Sequence, residues 1–327
     1  KIITIKLLKM SNKISFFGLL HFKKNENLKL NFESKSDEEK ILVYLKNAIV
    51  LSKQLKSFGY KFELITNDKM YINFLLKKLN FSLQLKEINF TTFVPPNTHF
   101  YSCHYRVDIF NYLSSLKNSY SILIDLDVLI LNKPVNLIKK KDQEIAFVND
   151  ITSNVLPAYG KSNILNKLNI LNPKTKKVKW YGGDFFGGNS NFYRLLHKKT
   201  KFYQKKFVEN ISNLSNQTDE LFMSLAIEDI KKEYKILNCS EYKIFTRYWN
   251  TNVKHIQKKI SYYQGFNILH IPADKVFLSK CYFKIDQNFF FGDDYFSYVS
   301  SFRNILKKTV SKILPTVVKN KIKFVLK

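Results

Sequence analysis

A chain of 327 residues that is 45% hydrophobic and 15% aromatic can bury a sizeable core, as one large domain or two modest ones, which excludes an intrinsically disordered protein. Its formal charge of +28 points to an anionic partner, although the excess of Lys, Asn, Ile, Phe and Tyr is what an A/T-rich genome produces, so the sign says more than the size. Cys103, Cys239 and Cys281 are odd in number, far apart and in no C-x-x-C pattern, which argues against a disulfide framework or zinc site and for a reducing compartment.

No apolar run reaches the roughly 18 residues of a membrane-spanning helix. The sequence opens on Lys1, and Met10 is read as the true start or Lys1 to Lys9 as a strand-like extension. Lys13 to Phe22 is an apolar run and reads as a first buried strand, and the polar stretch Lys23 to Lys40 as a long loop. Ile41 to Phe58 carries a helical stripe that ends at Gly59. Lys61 to Thr66 alternates as a strand, Lys69 to Leu79 follows as a helix, and Phe81 to Phe90 alternates again. This strand-helix rhythm predicts a mostly parallel sheet with right-handed crossovers. After Pro95-Pro96, one helix is expected over Phe100 to Leu116 and a buried strand over Glu144 to Asn149. Asp150 to Lys179 shows no clear period and reads as a loop excursion over the site.

The informative stretch is Tyr120-Ser-Ile-Leu-Ile-Asp125-Leu-Asp127-Val-Leu-Ile-Leu-Asn-Lys-Pro134. Consecutive Ile and Leu mark a strand covered on both faces. Two carboxylates at its carboxyl end need a cation or must be neutralised. Strand ends of open α/β sheets are where ligands bind. Asp125 and Asp127 are therefore candidate ligands for Mg²⁺ or Mn²⁺, with phosphate oxygens completing the shell. The plainer alternative is that the pair caps a following turn.

Further along, Trp180 to Ser190 holds four of the chain's nine glycines, with Asp184 between Gly182-Gly183 and Gly187-Gly188. Such glycines let the backbone approach a ligand, or form a hairpin corner or bulge. The stretch is neither a P-loop nor a dinucleotide fingerprint. Asn191 to Val208 reads as a Lys-rich amphipathic helix. Thr218-Asp219-Glu220 reads as the capped start of another, and capping alone would explain both acids. Phe266 to Ile271 reads as a last strand leading into His270 and Lys275, residue types that serve as metal ligand and phosphate partner, although a lone strand-end His is often merely packed.

In this order the stations resemble the GT-A fold glycosyltransferases, and among them the family of glycogenin and the bacterial lipopolysaccharide α-galactosyltransferases. The likeness covers roughly residues 13 to 280 and is best at Ile124-Asp125-Leu-Asp127-Val-Leu. It implies an α/β fold with a Rossmann-like, mostly parallel sheet flanked by helices, and Mn²⁺ (or Mg²⁺) held by Asp125, Asp127 and His270. Arg106 in His104-Tyr105-Arg106-Val-Asp108, Gly182, Gly183 and Lys275 are implied to contact the donor. Asp184, Asp219 and Glu220 are implied to orient the sugar hydroxyls; one of them would act as base in an inverting enzyme, but the resemblance implies retention, which needs no strong external base. The donor would be a nucleotide-diphosphate sugar, UDP-hexose first, and the acceptor a glycan or lipid-linked glycan of a cell-surface polysaccharide or lipopolysaccharide. The chain departs from the family in lacking a Lys-Pro-Trp ending after His270, an Asn-Ala-Gly type sugar turn and an acid on the first strand.

After Asp294 no acid follows, while eight cations do, interleaved with apolar residues at helical spacing. This divides the chain into a catalytic domain over 10–295 and a basic amphipathic tail over 296–327. The tail would lie on an anionic bilayer, which would place the protein on the inner face of the cytoplasmic membrane. Its alternative is a docked helix with a solvated Lys face. Two rival functions share the motif or the charge. One is a haloacid-dehalogenase-like phosphatase with Gly292-Asp293-Asp294 as its second acid pair. The other is a nucleic-acid-binding protein, for which no recognition signature is present and which is not expected.

Overall fold

The computed structural model describes residues 13–22, 36–98, 100–117, 119–132, 144–214, 218–251, 254–283 and 291–301. A seven-stranded sheet runs through it in the order β3-β2-β1-β4-β7-β6-β8. Its strands are β1 (Lys13–Leu20), β2 (Lys61–Thr66), β3 (Leu85–Glu87), β4 (Ser119–Ile124), β6 (Ala146–Asp150), β7 (Tyr181–Asn189) and β8 (Ile236–Asn238). Neighbours pair in parallel except around β7, which runs against both β4 and β6. The mixed, mostly parallel sheet expected from the sequence is therefore present. A second small sheet, β5-β10-β9, joins β5 (Val128–Ile130), β9 (Phe245–Arg247) and β10 (Ile268–His270).

Two helical layers cover the sheet and bury its apolar runs. One face receives α1 (Asp37–Ser57) and α2 (Lys69–Lys78), whose Leu45, Ile49 and Leu75 pack with Ile122 and Ile124 of β4. The other receives α4 (Arg106–Ser114), α7 (Ser190–Glu209) and α8 (Glu220–Ile230), packed on Leu123 and Phe186. With both faces covered, β4 can be apolar at consecutive positions, and only beyond Ile124 does its chain reach polar surroundings.

Capping follows the sequence in several places. Ser36 accepts from Glu39 N to start α1, and Gly59, at φ 82, ends it. Asp68 accepts from Tyr71 N at the start of α2, and Asn189 from Phe192 N at the start of α7.

Several expectations change. The loop read over Asp150 to Lys179 holds two helices, α5 (Thr152–Tyr159) and α6 (Lys161–Leu171). Their buried Val155, Ile164, Leu168 and Leu171 form a narrow stripe that the surrounding Asn and Lys conceal. The single helix read over Phe100 to Leu116 is broken at Tyr105 into α3 (Tyr101–His104) and α4, so Arg106 opens a helix. The alternation over Phe81 to Phe90 yields only the edge strand β3. The polar stretch to Lys40 already contains the first turn of α1. The glycine-rich stretch is not a corner but the buried strand β7, and its pairing with β6 shifts register between Val148 and Asp150, in line with the bulge reading. After α9 (Lys275–Lys280), α10 (Phe291–Ser300) runs through residue 295 and buries Tyr295 and Val299. The basic tail beyond residue 301 lies outside the described residues, as do residues 1–12 and most of the loop after β1. Among the described residues no helix is long and apolar enough to cross a membrane.

Candidate functional site

A cleft of about 260 Å³ opens at the carboxyl ends of β1 and β4, where the chain order turns from one half of the sheet to the other. Leu19 to Phe22 at the end of β1 and Asp125 to Asp127 after β4 line it. This is the crevice in which open α/β sheets bind ligands. The turn after β4 is fixed by the backbone, with Asp125 N donating to Asp184 O at 3.1 Å and Ile271 N to Asp127 O at 2.9 Å. The second bond follows from β10 pairing antiparallel to β5, which places His270 opposite Val128 and beside Asp127.

Asp125, Asp127 and His270 each offer one ligand atom, and these atoms lie within 4.8 Å of one another. His270 Nε2 stands 3.2 Å from Asp127 Oδ2 and 3.8 Å from Asp125 Oδ2, while its Nδ1 lies 2.8 Å from Asp184 Oδ2. An ionised Asp184 can only accept, so Nδ1 carries the proton and a neutral ring turns its Nε2 lone pair toward the two aspartates. That is the carboxylate–histidine–metal arrangement, and without a cation the three ligand atoms repel. Burial pulls the His270 pKa down, but Asp127 and Asp184 outweigh it and hold it at about 9, so a proton takes the bridging place when no metal does. Burial raises Asp125 beyond what Arg106 and His270 can offset. Asp127 is held well below the usual carboxylate range, because Lys275 and His270 overcome its burial.

The charge count agrees with a divalent ion. Asp125, Asp127, Asp184, Asp219 and Glu220 line the cleft against Arg106, Arg247 and Lys275, which leaves two negative charges when His270 is neutral. Buried charge left uncompensated is costly, and a divalent cation cancels this excess. The oxygen-rich ligand set with one imidazole suits Mn²⁺ or Mg²⁺ better than a thiophilic metal.

The remaining polar residues form two arginine-centred knots. Arg106 Nη1 donates to Asp219 Oδ2 at 2.6 Å, and its Nη2 to Asp125 Oδ1. Arg247 Nε donates to Asp184 Oδ2 at 2.7 Å, and its Nη2 to Glu220 Oε1 at 3.0 Å. Glu220 also takes Trp180 Nε1 at 2.8 Å and Gly183 N at 3.3 Å. Helix capping therefore does not account for the two acids: α8 begins at Glu220, and Asp219 at its cap position makes no capping bond. Both are drawn inward by arginines contributed from far along the chain.

The glycines serve these knots. A Cβ on Gly183 would come within 2.8 Å of Arg106 Nη1 and 3.2 Å of Asp219 Oδ2, and one on Gly182 within 2.9 Å of Arg247 Nη2. Their missing side chains make room for the charged groups, and of the two only Gly183 borders the cleft. Lys275, 6% exposed, reaches Asp127 Oδ2 and the Pro272 carbonyl, each at 2.7 Å.

Sequence reasoning missed Arg247, Tyr44, Trp249 and His255, which also line the cleft. A signal for Arg247 existed: only four arginines stand among the 54 cationic residues, and Arg106 and Arg247 are two of them. Where Lys is the default cation, an Arg hints at a site that uses its rigid fork, although Arg194 is exposed and bonds, among the described residues, only Asn191 of its own helix. Cys103 also lines the cleft, where burial pushes its thiol up to about 12, against Arg106, which favours the thiolate. Asp293 and Asp294, the second acid pair of the phosphatase alternative, lie on α10 and do not border the cleft.

No family model and no curated protein matches the sequence. Among solved structures, the chain is similar to the apo form of mouse xyloside xylosyltransferase 1, with a TM-score of 0.45 and 11% identity over 79% of this chain and 97% of that one. The likeness is one of backbone arrangement.

Proposed function

We propose that the protein is a metal-dependent glycosyltransferase that moves a sugar, a hexose from UDP in the first instance, from a nucleotide diphosphate to a glycan or lipid-linked acceptor. The observation that carries this reading is the convergence of Asp125, Asp127 and His270 beneath an open cleft at the end of the central strand, with Lys275 beside them. The sheet order around β4 and β7 and the Asp-x-Asp at the strand end support the GT-A resemblance. The glycogenin and lipopolysaccharide α-galactosyltransferase likeness remains the narrower form of the proposal.

A divalent cation in this site would supply a Lewis acid toward the donor diphosphate. Asp125 and Asp127 would hold it from the strand end and His270 from β10. Arg106 positions Asp125 and Asp219. Asp184 fixes the His270 ring and, being buried and tied to Arg247, orients rather than takes a proton. Asp219 and Glu220 border the cleft where the sugar would lie, and Gly183 lets them approach the strand. Lys275 adds positive charge where negative charge develops on the leaving diphosphate, which is stabilisation by preorganised groups.

Calorimetric titration with UDP, GDP and CMP, each with Mn²⁺ and again with EDTA, tests the proposal. One nucleotide is expected to bind with Mn²⁺ and lose its affinity in EDTA. Absence of binding by all three, or binding indifferent to EDTA, would sink the metal-dependent transferase.

A further inference from the structure

A second cavity, of about 340 Å³, lies beyond the carboxyl ends of β6 and β8 and shares a wall with the cleft. Val155, Arg247, Trp249 and His255 border both spaces. We propose that this second cavity is the acceptor subsite and takes the end of a neutral glycan, with His255 receiving the hydrogen bond of the hydroxyl to be glycosylated. The inference rests on the transferase reading above and assigns the other substrate.

Three observations carry it. First, the position is right: a group held in the second cavity adjoins the donor cleft across the wall of Val155, Arg247, Trp249 and His255. Second, the lining suits sugars. The half-exposed Tyr262 borders it, and the hydroxyls of Ser153 and Thr246 and the amide oxygen of Asn154 are groups that hydrogen-bond sugar hydroxyls. Its charges are already matched internally. Asp150 is bound by Lys179 at 2.7 Å, and Arg247 by Asp184 and Glu220, while Lys258 is exposed. A strongly anionic acceptor therefore finds no buried cation to meet it.

Third, His255 stands apart from the acids of the adjoining cleft. Asp184, Asp219 and Glu220 are each committed to an arginine. His255 is held edge-on between Tyr159 and Trp249, at 5.6 and 6.0 Å between ring centroids, and faces Arg247 and Glu220. Burial and the Arg247 charge lower its pKa against the weaker pull of Glu220, which keeps the ring neutral and able to accept. Its neighbour Ile256 is pinned to α5, with Ile256 N donating to Asn154 O and Asn154 Nδ2 to Ile256 O. Gln257 secures the other side through both Trp249 backbone groups.

Saturation-transfer NMR on the full chain with UDP and Mn²⁺ tests the assignment, using methyl glycosides of glucose, galactose, mannose and N-acetylglucosamine, with methyl glucuronide as the anionic comparison. At least one neutral glycoside is expected to show transfer. Ser153→Trp, which fills the cavity from an exposed helical position, should abolish it. Replacing His255 by Phe should weaken binding about tenfold, the loss of one well-placed hydrogen bond, and His255→Gln should restore part of it. If the wild-type chain fails to bind UDP with Mn²⁺, the transferase reading itself falls. Should UDP bind while no neutral glycoside shows transfer, while Ser153→Trp leaves transfer unchanged, or while the glucuronide is preferred, the acceptor assignment is overturned.

Discussion

Asp184 Oδ2 sits 2.8 Å from His270 Nδ1, and that contact decides which nitrogen faces Asp125 and Asp127. Asp184 is thereby a positioning residue for the proposed metal. Replacing it by Asn leaves a group whose NH₂ or carbonyl can meet Nδ1, so the ring orientation and its basicity are no longer imposed. Mn²⁺ affinity should fall by about 10- to 100-fold, as for other outer partners of ligating histidines. Titration followed by the paramagnetic signal of free Mn²⁺ measures it, and an unchanged affinity would remove Asp184 from the metal site.

The two aspartates of the motif differ in what else they hold. The Asp125 side chain is 28% exposed and its partner Arg106 keeps Asp219, so its loss should abolish Mn²⁺ binding at a smaller cost to the fold. Asp127 is 4% exposed and partners the buried Lys275, so Asp127→Ala should abolish binding and also cost about 3 kcal/mol by stranding a buried ammonium. Thermal unfolding in EDTA, which removes the contribution of the metal, separates the two variants. Equal melting temperatures would contradict this distinction.

Gly183→Ala should act on Arg106 without touching a proposed ligand directly. The added methyl would meet Arg106 Nη1 at 2.8 Å and Asp219 Oδ2 at 3.2 Å, in a site where neither atom can retreat into solvent. Overpacking of this kind costs about 1 to 3 kcal/mol. Nucleotide affinity should fall with stability, because Arg106 also holds Asp125. A variant as stable as the parent in urea unfolding would show that the knot can shift.

Asp150 predicts a pH dependence of stability. Its burial raises the carboxyl pKa, but hydrogen bonds from Lys179 and Thr152 outweigh burial and hold it below the ordinary value. A group depressed on folding stabilises the protein above its unfolded pKa, and that contribution is lost as pH falls through the folded one. Asp150→Asn should therefore be less stable than the parent at pH 7, and the gap should close as the solution is acidified below about pH 4. Denaturant unfolding at both ends of that range reads the difference, and a gap independent of pH would refute the linkage.

The membrane proposal for the basic tail needs a cut that spares the core. A truncation after Tyr295 would divide α10 and remove the buried Val299, whereas one after Ser301 leaves the helix whole. The chain cut after Ser301 should lose sedimentation with vesicles of anionic lipid and keep its UDP affinity. Continued sedimentation would place membrane attachment elsewhere.

The sequence alone determined the strand that carries the site and the two acids at its end, because a fully buried strand must be apolar at consecutive positions and a carboxylate there has to be compensated. It also marked the start of α2, where Asp68 acts within one turn, whereas the start of α1 at Ser36 was hidden in a stretch that reads as loop. The roles of Asp219 and Glu220 were different. Capping is a local explanation and sufficed on the page, yet the two acids answer to Arg106, 113 residues away from Asp219, and to Arg247. Gly182 and Gly183 were legible as small and not as the space those side chains occupy. His255 carries no motif at all. Such pairings depend on which strands become neighbours, here β7 between β4 and β6 and β10 beside β5, and only the folded chain brings those charges close enough for one to compensate another.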